Sequence, residues 1–431
     1  MNLPMVRYQQ RRHTLQKTLP KDAVVVLRAG SLCTRNNDCD YEFRPHSSFL
    51  YLTGYNEADA YLVITHDQSI LFNLPKDPER ELWDGFRYGV EGAIENFGFD
   101  NAFALADLDE QLLILLNGRN TIYSLFEDQQ LHEQLLSWQK TLVSRQRHGA
   151  QAPVQLHDLT DTLAEMRLIK DEDEIKLMER AAQISVQAHT KAMQVVKVGF
   201  YEYELEAEIN YTFMKSGART PAYTNIVAAG ANACTLHYIQ NNALIHDGDL
   251  VLIDAGCELN GYASDITRTF PANGKFSQPQ AALYNVVLAA QKAAIDAVQV
   301  GAKYTDFHDV AVSVLTKGLL TLGLLEGDLE TLIENKSYRD FYMHNTGHWL
   351  GLDVHDIGAY KLNGESRPLQ AGMVVTVEPG LYIAKNNLNV AEQWRGIGIR
   401  IEDDVLVTAD GPYILTHGLA REIDEIEALI A

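Results

Sequence analysis

Four carboxylates in the C-terminal half of the chain interrupt runs that otherwise read as apolar strands. In DLVLIDAGCELNGYASDITRTF, Asp254 closes the run Val251–Ile253, and Asn260-Gly261 is a two-residue hairpin turn. With those two residues as the loop, Leu259 faces Tyr262 and Gly256 faces Asp265. Asp254 and Asp265 then lie diagonally on one face, ~7–8 Å apart along the backbone and closer between side chains. Two carboxylates on one buried face repel each other, and each costs several kcal/mol to desolvate. A divalent cation between them removes both penalties. Taken alone the pair has other readings: Asp254 before Ala255-Gly256 suits a turn, and Asp265 suits a cap or an ion pair with Arg268.

The anomaly recurs. Glu378 ends the apolar run of AGMVVTVEPGLYI directly before a proline. Glu402 interrupts RGIGIRIEDDVLV, where Ile397, Ile399 and Ile401 share one face, so Arg400 and Glu402 project together on the other. A lone glutamate at a strand end is ordinarily a surface residue; repeated acidic insertions into apolar strands are harder to assign to chance. Nitrogen donors are close at hand in FYMHNTGHWLGLDVHDIG, which places His344, His348 and His355 beside Gly347 and Gly351. Four carboxylates with one imidazole form a hard, mostly oxygen site that suits Mn²⁺, Co²⁺, Fe²⁺ or Zn²⁺ and disfavours thiolate-preferring ions. Four negative charges nearly balance two divalent ions. Two ions ~3.5–4 Å apart activate a shared water and clamp a tetrahedral oxyanion, so the chemistry indicated is hydroxide attack on an amide or ester carbonyl.

These residues need elements to hold them. Before residue 165 the pattern is α/β: DAVVVLRAG, SSFLYLTGY, DAYLVITHD and QSILFNLPK read as strands, whereas ADLDEQLLILLNG and QLHEQLLSWQKTLVSRQRHG carry helical periodicity and end in glycine. Nothing in this half resembles a phosphate loop or a nucleotide fingerprint. After the polar stretch HGAQAPVQLHD, a long amphipathic helix is expected through DTLAEMRLIKDEDEIKLMERAAQISVQAHTKAMQVVKVGF, ending at Gly199. Further helices are expected at 202–216, 278–299 and 305–323, with strands at 224–229, 250–256, 262–269, 373–377 and 398–407. Helices set apart from antiparallel strands make this half α+β. The expected division is 1–165 and 166–431.

With 431 residues the chain has room for two cored domains. An apolar fraction of 46% and a charged fraction of 22% are those of a soluble globular protein. No run approaches the ~18–20 apolar residues of a membrane span. The net charge of −22 argues against nucleic acid and anionic membrane as partners. Cys33, Cys39, Cys234 and Cys257 show no C-x-x-C spacing and read as reduced thiols, which points to the cytoplasm. The basic N-terminus lacks the apolar segment of a secretory signal, although Arg7, Arg11 and Arg12 without acidic neighbours leave a short mitochondrial-type presequence as a second reading.

Five segments, LHYIQN, LVLIDAGCELNGYASDITRTFP, HWLGLDVHDIG, MVVTVEPGLYI and GIGIRIEDD, resemble the pita-bread metallopeptidases, and within them the aminopeptidase P group, in the family's order and spacing. EMRLIKDEDEI resembles the family's entry to its catalytic domain, and TRNNDCDYEFRPHSSFLYLTGYNEADAYLVI its N-terminal domain. The resemblance covers nearly the whole chain. It implies a curved antiparallel sheet with helices outside, preceded by a smaller α/β domain serving oligomerisation and active-site access. It further implies Asp254, Asp265, His348, Glu378 and Glu402 as ligands of two divalent ions, Mn²⁺ foremost, with Asp265 and Glu402 bridging. Glu378 would also accept the proton of the attacking water. His237 and His355 would hydrogen-bond the scissile carbonyl or its oxyanion, and His344 and Arg400 would line the proline side, with Tyr382 nearby at the substrate. Arg400 equally suits a plain ion pair with Glu402 or Asp403. Asp38 and Trp83 would reach a neighbouring subunit's site in a dimer or tetramer, although Trp83 suits simple packing in a domain interface just as well. The filler residues Asn345 and Thr346 depart from the family's pattern, with no ligand position affected. The implied reaction releases the N-terminal residue from peptides with proline second. Alternatives are a prolidase restricted to dipeptides and a non-catalytic binding protein on the same fold. Methionine aminopeptidase does not fit the long N-terminal half, nor a creatinase-like enzyme the full ligand set.

Overall fold

The computed structural model describes residues 3–430. Its contacts divide the chain into two compact units that change over between Met166 and Arg167.

The first unit is built on a six-stranded mixed sheet, in the spatial order Asn101–Ala104, Ser69–Asn73, Tyr61–Ile64, Ala23–Arg28, Thr121–Ser124, Gln155–Asp158. The strand Tyr61–Ile64 is antiparallel to both neighbours, and the outer pairings are parallel. Val24, Val26, Val63, Ile70 and Phe72 bury one face against Leu112, Leu116, Leu131, Leu135 and Trp138 of the two helices Leu108–Leu116 and Gln129–Ser144. One expected strand is wrong: SSFLYLTGY forms the helix Ser47–Thr53. The His46 ring accepts from the Ser48 amide at its start, and Gly54 closes it in the left-handed region at φ 66°. Six of its seven residues are buried, so no polar face exists to reveal a helical period. The helix Met5–Thr18 went unrecognised for the opposite reason. Its buried positions include Arg11 and Arg12, whose guanidinium groups donate to the carbonyls of Tyr51, Leu52, Phe97 and Gly98.

In the second unit every strand pairing is antiparallel. The helices Glu172–Val195, Glu202–Lys215, Gln278–Ala297 and Asp306–Thr321 lie close to their expected positions. The expected long helix is two helices, Thr160–Leu168 and Glu172–Val195, and a reciprocal capping box of Asp171 and Glu174 starts the second. Val375, Val377, Val405 and Val407 pack with Trp349, Ala294, Val298 and Phe307 as the core.

The hairpin register follows from its turn. Asn260 and Gly261 both take positive φ, 50° and 88°, as a type I′ turn requires. Leu259 pairs with Tyr262, and the same register persists to Asp254 opposite Thr267 and Leu250 opposite Pro271. Between these ladders the strands approach closely: the Ser264 amide donates to Cys257 O at 3.0 Å and the Ala255 amide to Ile266 O at 3.0 Å. A Cβ on Gly256 would stand 1.7 Å from Ser264 O.

The strand expected at 398–407 is two strands. Ile397–Arg400 pairs with Gly380–Ile383, whereas Asp403–Thr408 pairs with Val374–Val377. The stretches 374–383 and 397–408 keep one register on both sides, Val377 opposite Asp403 and Gly380 opposite Arg400, and the ladder is interrupted at Glu378-Pro379 and Ile401-Glu402. Asp254 ends Leu250–Asp254, and Asp265 lies between Tyr262–Ala263 and Thr267–Pro271. All four acids therefore stand at strand ends or breaks, where the sheet leaves room for a side chain that must not be packed.

The Gly256 contact gives a stability prediction. Gly256→Ala pushes the hairpin apart and lowers unfolding stability by roughly 1–3 kcal/mol, read by denaturant titration. An unchanged midpoint would show that the hairpin relaxes freely.

Candidate metal centre

The breaks open into one cavity of about 910 Å³, lined within the second unit by Asp254, Asp265, His348, Glu378 and Glu402 together with His237, His344, His355 and Arg400. Asp254 and Asp265 meet as their diagonal placement requires: the Tyr223 hydroxyl is 2.5 Å from an oxygen of each. One hydroxyl carries one proton and can satisfy only one carboxylate at a time. Asp265 Oδ2 lies 3.4 Å from His348 Nε2, and Glu378 Oε1 lies 3.8 Å from the same nitrogen. His348 Nδ1 is 3.0 Å from the Trp349 carbonyl, which can only accept, so Nδ1 carries a proton and Nε2 is left to face the acids. Donor atoms of Asp265, His348 and Glu402 fall within 4.8 Å of one another.

Around this core each partner is committed. Thr267 Oγ1 donates to Glu402 Oε2 at 2.6 Å. Arg400 spends Nε on Thr267, Nη1 on the Tyr382 hydroxyl and Nη2 on Asp254 Oδ2, the last at 2.6 Å. Arg400 thus pairs with Asp254, not with Glu402 or Asp403. Arg268 is bound to Asp403 at 2.8 Å, so it is no partner for Asp265 either. The buried Asp404 accepts from the Asp265 amide at 3.1 Å.

Burial raises the carboxyl pKa of Asp265, which neighbouring Asp254 raises further. Burial likewise pushes Glu378 up to about 7. Glu402 rises well above its ordinary value, first by burial and then by Asp265, Glu378 and Asp254. Burial alone would lower His348, but Asp265 and Glu378 outweigh it and hold the imidazole at about 9. The chemistry of this donor set, crowded oxygens with one inward imidazole nitrogen and a single guanidinium among them, fits divalent cations.

The other residues singled out from sequence fall into three groups. His237 and His355 are exposed within the cavity, and the His355 ring centroid lies 4.0 Å from that of His348. His344 donates from Nδ1 to the Asn345 carbonyl at 2.7 Å and accepts at Nε2 from the Tyr382 hydroxyl at 2.8 Å. Burial, reinforced by Arg400, lowers its pKa to about 3 and keeps the ring neutral. Tyr382, only 2% exposed, stands behind His344 and Arg400, outside the cavity lining. Asp38 and Trp83 belong to the first unit, and both are exposed in the single chain, Trp83 at 86%. Tyr223, Thr267 and Asp404 were not anticipated. Tyr223 precedes its two partners by 31 and 42 residues and sits in no patterned segment, so nothing local marks it.

Residues 176–409 match the model of metallopeptidase family M24, and residues 8–123 that of the aminopeptidase P N-terminal domain. The chain belongs to metallopeptidase family M24, and its second unit is the family's pita-bread domain. Within the family it is similar to the Xaa-Pro aminopeptidase of Haemophilus influenzae, 44% identical over 99% of this chain and 98% of that protein. The Xaa-Pro aminopeptidase of Escherichia coli is 42% identical over 98% of this chain and 97% of its own length. Among solved structures, Pseudomonas aeruginosa aminopeptidase PepP superposes with a TM-score of 0.99 at 47% identity, covering 100% of this chain and 98% of that one. A zinc-substituted Escherichia coli aminopeptidase P in complex with product has a TM-score of 0.97 at 42% identity, covering 100% and 99%.

The inward Nε2 of His348, facing Asp265 and Glu378, suits a metal donor, and a pair of variants tests it against His355. His348→Ala lowers both bound divalent metal and rate, whereas His355→Ala lowers rate with metal retained, read by elemental analysis of dialysed protein. Loss of metal in His355→Ala would reverse the two assignments. Divalent metal at 100 times its dissociation constant raises stability by about 2.7 kcal/mol, seen as an upward shift of the thermal midpoint that His348→Ala diminishes.

Proposed function

We propose that this chain is a metal-dependent exopeptidase that releases the N-terminal residue from peptides whose second residue is proline. The observation that carries it is the convergence of four carboxylates, one inward imidazole nitrogen and four further histidines on a single cavity. Asp254, Asp265, His348, Glu378 and Glu402 would hold two divalent ions. Four carboxylates against the one guanidinium of Arg400 favour two ions over one. The oxygen-rich donors favour Mn²⁺, with Co²⁺, Fe²⁺ or Zn²⁺ as alternatives. Metal there supplies Lewis acidity toward the scissile carbonyl and lowers the pKa of the attacking water.

The chain's own groups do the rest. The Glu378 carboxylate takes the proton of the attacking water and passes it to the departing proline nitrogen. His237 and His355 donate hydrogen bonds to the oxygen on which charge develops. Neutral His344, locked by Tyr382, and Arg400 behind it shape the proline side. The tertiary amide before proline offers no N–H to a peptidase that binds its substrate by backbone pairing, which favours a pocket built for the ring.

A dipeptidase must hold its substrate's free carboxylate with an available cation. Every nitrogen of Arg400 already has a partner, which disfavours the prolidase reading. That reading would rest on Lys361, the other non-histidine cation of the lining. A cavity of about 910 Å³ also has room beyond two residues. A non-catalytic binding role would leave the metal donors without a purpose.

We further read the protein as a homo-oligomer, a tetramer first and a dimer second. Leu82 and Trp83, each 86% exposed, and Phe86, 68% exposed, place three large apolar side chains in water within five residues of the first unit. In this reading Trp83 and Asp38 reach a neighbour's cavity. A cytoplasmic location is supported by four free cysteines; no described helix is long and apolar enough to cross a membrane.

A peptide panel with Mn²⁺ tests the activity: Xaa-Pro-Xaa peptides are cleaved, Xaa-Ala controls are not, and Xaa-Pro dipeptides are poorer. Cleavage of dipeptides alone would establish a prolidase, and inactivity of metal-loaded protein would sink the enzymatic reading. Sedimentation reads the assembly, and Trp83→Ala should weaken it or raise KM; a fully active monomer overturns the oligomer.

A further inference from the structure

His237 is carried by the segment between Ala229 and Ala243, which also offers Leu236 and Ile239 to the cavity. This segment wraps around a carboxylate that has no part in the metal centre. Glu202, the first residue of the helix Glu202–Lys215, is fully buried at 0% exposure. Its Oε1 accepts from the Ala229 amide at 2.8 Å and from Asn232 Nδ2 at 2.9 Å. Its Oε2 accepts from the Tyr238 hydroxyl at 2.8 Å and from the Ala243 amide at 2.8 Å. No cation pairs with it among the described residues. A buried carboxylate without a counter-charge persists only because donors surround it. Here all four donors come from one loop, lying 27 to 41 residues further along the chain.

The fastenings are unequal along the loop. Its far end is also held by Asn241, which accepts from the Val227 amide and donates to Asn225 O and Glu206. Its near side is held at Cys234, which bonds Ile383 O. From Thr235 to Gln240, the side-chain hydrogen bonds of the described residues come from Tyr238, which reaches Glu202 and Asn232 at once. Asn232 is itself oriented by Glu202, so the middle of the loop depends on that one carboxylate. We propose that Glu202 is the positioning residue for His237, fixing it through Tyr238 and Asn232 against the cavity. The inference rests on the reading of His237 as a donor to the reacting carbonyl.

The test is a double-mutant cycle on Glu202 and His237, with hydrogen exchange and metal analysis on the same proteins. Glu202→Gln keeps one oxygen acceptor but loses the second, so the loop middle loosens. A displaced donor lowers kcat/KM roughly ten- to hundredfold, carried by kcat, with bound metal unchanged. Exchange accelerates in residues 235–243 and not elsewhere in the second unit. In a His237→Ala background, Glu202→Gln brings no further loss, because the group it positions is gone. Additive losses, or exchange rising throughout the unit, would overturn the proposal. If His237→Ala alone retains full kcat/KM, the role of His237 falls first and this inference falls with it. Should Glu202→Gln not fold, Tyr238→Phe runs the same cycle with three of the four donors intact, and additivity there is equally decisive against it.

Discussion

Repulsion among buried carboxylates is the constraint to which the second unit is built. Asp254, Asp265, Glu378 and Glu402 share one cavity with a single guanidinium, and every chemical device around them limits the cost of that crowding. Arg400 is anchored on three sides so that its charge stays against Asp254. Hydroxyls of Tyr223 and Thr267 donate to acid oxygens. His348 is turned inward by a backbone carbonyl. None of these groups supplies enough positive charge, which is why the arrangement makes chemical sense with cations bound.

The sheet accommodates the acids by being discontinuous. A carboxylate within an intact, two-sided apolar ladder would be pressed against neighbours with nothing to bond. Where a ladder is interrupted, backbone pairing lapses for a residue or two and the side chain gains an open side. Glu378 and Glu402 occupy two such lapses facing each other, and Asp254 and Asp265 occupy the ends of the hairpin ladders. The apolar residues flanking them, Val375, Val377, Val405 and Val407, remain in the core and keep the lapses in place.

Much of this was legible in the residues, and the failures have physical causes. The Asn260-Gly261 turn carries its own geometry, so the diagonal meeting of Asp254 and Asp265 followed from alternation alone. Periodicity found the helices that have a wet and a dry face. It failed for Ser47–Thr53, buried nearly all round, and for Met5–Thr18, whose buried face is lined with arginines. Strand breaks left no mark either, because residues on both sides of Glu402 continue the same alternation in the same register and only the backbone pairing lapses between them. Tyr223, Thr267, Asp404 and Glu202 act through partners remote in sequence, which no local pattern records.

The two-residue turn carries a further consequence. Strand side chains alternate with a period of two, and the pairing from Leu259 back to Leu250 counts outward from Asn260-Gly261 without interruption in register. Lengthening or shortening that loop by one residue would transpose the returning strand, turning Asp265 away from Asp254 and exposing an apolar neighbour in its place. Loop tips usually tolerate insertions and deletions; this one serves as the ruler for the cluster of acids several residues away, so its length is under as strict a constraint as those carboxylates themselves.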